Sequence, residues 1–157
     1  MPANSIRDDV LDNLKAALTG ITAGADYHTT TTAVFGWRTP GPQSGAGWPA
    51  HSVLDLAEAV TVKQGTGTLQ ERRLTVLIQS LGMVADGADP DGYARNLLAD
   101  VQKAIMVDPT RGGKAHTTSE GANRLMVDTP AAPFVVVELD VEITYRTRRG
   151  DPASVAP

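Results

Sequence analysis

Residues 134–147 read FVVVELDVEITYRT, and the fold turns on how they are read. Val135, Val137, Leu139, Val141, Ile143 and Tyr145 alternate with Val136, Glu138, Asp140, Glu142, Thr144 and Arg146. Successive side chains of a strand point to opposite faces, so this segment has one apolar face and one largely acidic face. A half-buried strand of this kind belongs in a mostly antiparallel sheet whose apolar side is covered by a second layer.

Two amphipathic stretches can supply that layer. In the first, Asn4 or Ser5 caps a helix carrying Ile6, Val10, Leu14, Ala17 and Leu18 at helical spacing. Asp8 and Asp9 suit the positive end of its dipole, and Gly20 ends it. In the second, turn residues at 86–92 lead into a helix whose stripe is Tyr93, Leu97, Val101, Ala104 and Ile105, stopping at Asp108. Ile6, Leu14, Leu97, Val101, Val137, Leu139, Val141 and Ile143 are therefore expected in one core.

The other strands are read from β-branched content and alternation. YHTTTTAVFGW (27–37) is short and rich in threonine, which resists helix. HSVLDLAEAVTV (51–62) fits helix or strand by periodicity, and its β-branched end favours strand. LQERRLTVLIQSLGMV (69–84) sets Leu74, Val76 and Ile78 against Arg73, Thr75 and Gln79, with Leu77 breaking the polar side. Residues 115–127 form a further strand. The Gly/Pro stretch 36–50 reads as a long exposed loop, and 151–157 as a disordered C-terminal tail. The expected organisation is one α+β domain over residues 1–150, with helices on one face of the sheet.

Composition narrows the chemistry. At 157 residues with 41% hydrophobic and 4% aromatic content, one core built of Val, Leu, Ile and Ala is expected. No cysteine is present, which removes thiolate chemistry and cysteine-ligated metal sites. The net charge of −4 disfavours general affinity for nucleic acid. No signal-like start or membrane-spanning apolar run is visible, so synthesis and retention in the cytosol are expected.

The motifs argue against catalysis. GGK at 112–114 resembles the end of a phosphate loop, but Ala115 stands where a magnesium-binding hydroxyl is needed and Asp108 where glycine is needed. The run Asp86, Asp89, Asp91, Gly92 lacks the spacing of a calcium loop and is better read as turn and cap chemistry. His28, His51 and His116 fall in separate segments without metal-ligand spacing. No cofactor, metal or catalytic residue is expected. Glu138, Asp140 and Glu142 form an acidic row at about 7 Å spacing. Arg146, Arg148 and Arg149 form a basic cluster that could meet such a row on a neighbouring subunit.

The order of elements, the segment Leu98 to Ala104, the DPTRGGKA turn at Asp108 to Ala115 and the final strand ending Tyr145-Arg146-Thr147 together resemble the tail terminator proteins of long-tailed bacteriophages (minor tail protein U-like). The resemblance covers nearly the whole chain. It implies a structural virion protein of the tail or neck, made in the host cytoplasm, whose subunits close into a hexameric ring. That ring caps the tail tube, ends its polymerisation and joins the head connector, with DNA passing through without specific binding. Residues expected at an assembly interface or the lumen are Glu138, Asp140, Glu142, Arg146, Arg148, Arg149, Arg111, Lys114, Arg72 and Arg73. The rival readings are another connector or neck protein of the same particle, and a small ligand-binding protein or hydrolase.

Overall fold

A computed structural model describes residues 4–36, 47–62, 68–127 and 134–156. In chain order the elements are α1 (Ile6–Thr19), β1 (Ala33–Phe35), β2 (Ala50–Val62), β3 (Leu69–Met83), α2 (Pro90–Met106), β4 (Thr117–Val127), β5 (Phe134–Arg148) and β6 (Asp151–Val155). The strands make one sheet in the order β1-β2-β3-β5-β4, and β6 also pairs with β5. Every pair is antiparallel except β1 with β2. The chain is thus a single α+β domain, as the alternation predicted.

β5 organises the sheet because its fifteen residues pair along their whole length with β3, from Phe134↔Met83 to Arg148↔Leu69. Its odd-numbered residues from Val135 to Tyr145 are at most 1% exposed. Leu139, Val141, Ile143 and Tyr145 share one core with Ile6, Val10, Leu14 and Leu18 of α1, Val101, Ala104 and Ile105 of α2, and Leu74, Val76 and Ile78 of β3. Val135 and Val137 join Leu97 in an adjoining cluster at the start of α2. Each fully buried aliphatic side chain here contributes about 1.5–3 kcal/mol.

Local chemistry fixes both helices. Ser5 and Asp8 form a reciprocal capping box at the start of α1, which satisfies two otherwise unpaired backbone donors. Asp89 caps α2 through the backbone N–H of Asp91, and Pro90 stands in the first turn, where its missing N–H costs nothing. Tyr93 packs against β3 at Gly82, where any Cβ would collide with its ring.

Two expectations fail. Among the described residues of the 27–37 stretch, only Ala33–Phe35 is strand. The threonines before it bond through their hydroxyls instead: Thr29 donates to Asp100, Thr31 bonds His51 and Thr32 donates to the Trp48 carbonyl. These contacts hold the segment as an irregular crossover, and side-chain partners replace a backbone ladder. The supposed tail is also ordered: Asp151–Val155 is β6, Ala156 is fully buried and its N–H donates to the Arg146 carbonyl. The turn at Gly150, with φ of +79°, lets the chain reverse there, so composition gave way to strand pairing. Most of the 36–50 loop lies outside the described residues; in the part described, Pro49 and Ala50 are buried rather than exposed.

Candidate functional site

The helices cover one face of the sheet and leave the other open. On that open face, register brings the charged residues of β5 beside arginines of both neighbouring strands. Arg73 of β3 meets Glu142 at 3.4 Å, Arg124 of β4 meets Glu138 at 2.9 Å, and Arg146 meets Glu71 of β3 at 3.6 Å. Gln79 also donates to Glu138, at 3.1 Å. The acidic row therefore finds cationic partners inside the chain. Asp140 is the member with no ion pair among the described residues, opposite Leu77 on β3 and against Gly121 on β4. Exposed pairs of this kind contribute about 0–1 kcal/mol each, so the ladder sets register and surface pattern more than stability.

The remaining expected interface residues divide. Arg148 and Arg149 are exposed and sit at the β5–β6 turn, where the Arg149 N–H donates to Thr68. Lys114 pairs with Asp9 of α1 at 3.1 Å. Arg72 points to the opposite face from Arg73 and bonds Glu58, Gln70 and Thr147. Tyr145 donates to the same Glu58, and burial together with that carboxylate holds its phenol well above the ordinary range.

Arg111 corrects the sequence reading outright. It is 1% exposed, so it belongs to no outer surface. Its side chain donates to Thr118 of β4 at 3.0 Å and to Asn13 of α1 at 3.2 Å, pinning the corner where α1, the 108–115 turn and β4 meet. Its backbone is left-handed, with φ of 51°, a conformation that costs a side-chain-bearing residue about 1–2 kcal/mol. Burial lowers its pKa against the pull of Asp108. Nη2 has no hydrogen-bond partner and is sealed from solvent, so it offers nothing to a ligand.

Two buried polar centres went unnoticed in the sequence. Asp100 is 2% exposed and accepts from the backbone N–H groups of His28 and Thr29 and the Thr29 hydroxyl, tying α2 to the crossover. A signal existed, since Asp100 falls on the same helical stripe as Leu97, Val101 and Ala104. His51 is fully buried, between Thr31 at 2.8 Å and Ser80 at 2.7 Å, and burial drives its pKa down to about 4. The Ser80–His51 pair has the separation of a nucleophile and base, but both residues are at 0% exposure and no substrate carbonyl can reach them.

Exposed apolar side chains lie at both ends of the long strands and at the end of α2, where Met106 and Val107 are 41% and 72% exposed. Leu56, Val60 and Val62 on β2 are 49%, 47% and 50% exposed. At the other end, Met83 and Met126 are 45% and 46% exposed, and Phe134 stacks edge-on against Trp48 with ring centres 5.5 Å apart. Among the described residues no three His, Asp or Glu side chains gather as a metal site, and no helix is long and apolar enough to cross a membrane.

The class these features define is a small α+β domain with one helical layer and an open, ion-paired sheet face. Compared with known proteins, the chain matches no family model, and no curated protein is similar to it.

Proposed function

We propose that this protein is a structural assembly subunit, and specifically a tail terminator whose copies close into a ring on the end of a phage tail tube. One observation carries the assembly part: the sheet outgrows its helical cover. Past Asp55, which Arg7 of α1 holds at 2.6 Å, β2 continues to Val62 with its apolar side chains in water. Val60 and Val62 are neighbours on one face of a regular strand, and in this reading they form part of an apolar patch completed by another chain. The tail-terminator part rests on the resemblance of the α2–turn segment and the last strand. In this reading the protein is not an enzyme, is found in the virion tail or neck, and contacts the tube protein on one side and the connector on the other.

Light scattering on the purified chain, with electron microscopy of tail tubes grown in its presence, tests the proposal. A ring of about six subunits and tubes stopped with a density cap are expected. A larger ring that binds the connector and leaves tube growth unchanged would favour the neck-protein alternative. A monomer at all concentrations that leaves tubes uncapped would remove the reading.

A further inference from the structure

An open sheet ends in two strands whose outer backbone N–H and C=O groups lack a ladder, and here both of those edges are long. The strand order ends at β4, whose residues are exposed almost throughout. On the other side β1 pairs with β2 only from Ala50 to Ser52, so beyond Val53 the outer edge of β2 meets no strand among the described residues. Folded proteins blunt such edges with lysine, proline or a bulge. On β4 a bulge lies between Glu120 and Asn123, after which residues 123–127 pair regularly with β5. On β2 the bulge lies between Asp55 and Ala57, and the regular run at 57–62 that follows has no basic residue and no proline. Its one charge, Glu58, is bonded to Arg72 and Tyr145. Register assigns the faces. Val60 stands beside Arg72 and Tyr145, and Leu125 beside Val137, so Val60, Val62 and Leu125 are exposed on the core-side face. Ala59 stands beside Arg73, and Met126 beside Val136, on the open face.

From these edges we infer that residues 58–62 of β2 in one copy pair with residues 123–127 of β4 in the next copy, continuing one sheet across the contact. This rests on the assembly reading above and names its interface. β2 is antiparallel to β3, β3 to β5 and β5 to β4, so β2 and β4 run in opposite directions. Laid edge to edge with their core-side faces together, the two strands make an antiparallel ladder, and their unpaired backbone groups satisfy each other. Pairing Val60 with Leu125 joins exposed apolar side chains on the core-side face. The same register sets Ala59 beside Met126 and Thr61 beside Arg124 on the open face, each a small side chain against a long one, and no two charges stand opposite each other. A two-fold pairing of β2 with β2 would leave β4 unpaired in both copies. The β2–β4 contact uses a different edge on each side, so it repeats around a ring or along a filament.

The chain has no cysteine, so disulfide trapping in the full chain reads the contact without background. V60C and L125C, mixed one to one and mildly oxidised, should give covalent dimers on a denaturing gel, while each alone stays unlinked. V60C mixed with M126C, whose side chains point to opposite faces, should link at least about tenfold less. V60K/V62K, with circular dichroism to confirm folding, should associate at least about tenfold more weakly than wild type, because lysine on an edge blocks a further strand. V60C that links to itself would show a two-fold β2 contact and overturn the inference. Wild-type rings in which V60C and L125C stay unlinked, or in which V60K/V62K associates unchanged, overturn it as well while leaving the ring reading intact. A wild type that never associates overturns both.

Discussion

Odd- and even-numbered residues of β5 alternate along one strand, yet they live in different solvents. Leu139 and Val141 are at most 1% exposed beneath two helices, whereas Glu138, Asp140 and Glu142 point away from them and, where paired, meet arginines rather than apolar groups. The difference teaches that stability and surface pattern are assigned to separate faces of one element. Changes on the covered face act through cavities and unsatisfied groups. Changes on the open face act through weakly held, water-screened charges.

The comparison breaks most easily at the core. Leu139→Ala should lower unfolding free energy by about 2–5 kcal/mol in chemical denaturation, through lost burial and the cavity left behind. Leu77→Ala on the open face should cost less than about 1 kcal/mol in dilute protein. Equal losses at the two positions would mean that the open face is already covered in solution. A Leu77→Ala penalty that grows with protein concentration would point to subunit contact.

Asp100 sharpens the point that the covered side also contains polar cement. Asp100→Ala removes the acceptor shared by two backbone N–H groups and the Thr29 hydroxyl, and should cost about 3 kcal/mol. Faster amide exchange at His28 and Thr29 would locate the loss, and protection unchanged at both would refute the assignment.

His51 makes the same side sensitive to acid. Its folded pKa of about 4 lies below the ordinary 6.5, so below pH 6.5 the unfolded chain takes up the proton first. The contribution is complete above 6.5 and is lost as pH falls toward 4, amounting to roughly 3 kcal/mol across the window. A His51→Gln variant should show a flatter stability profile between those limits. Matching slopes in the two proteins would count against a buried neutral imidazole.

Smaller effects belong to caps and surface pairs. Ser5→Ala should cost about 1 kcal/mol by opening the capping box. Glu142→Gln, which breaks the pair with Arg73, should change stability by no more than about 0.5 kcal/mol, and less at high salt. A loss above 1 kcal/mol for Glu142→Gln would show that the ladder is more than surface pattern.

Much of the architecture was legible along the chain. Period-two alternation at 134–147 and helical spacing at 6–18 and 93–105 named the core, because burial imposes those periods whatever the partners are. The sequence also contained the caps, whose chemistry is complete within four residues. It could not show that Thr29, Thr31 and Thr32 would spend their hydroxyls on Asp100, His51 and the Trp48 carbonyl rather than join a ladder, since those partners are distant in sequence. Nor could it show that Arg111 is buried while Arg148 and Arg149 are exposed, because a charge looks alike in a turn whether or not α1 and β4 close over it. The pairing of the acidic row with Arg73 and Arg124 was equally hidden, being set by strand order and register. Local periodicity determined which residues go inside. Only the tertiary structure decided which polar groups meet, because hydrogen bonds and ion pairs depend on a few ångströms of separation that chain order does not encode.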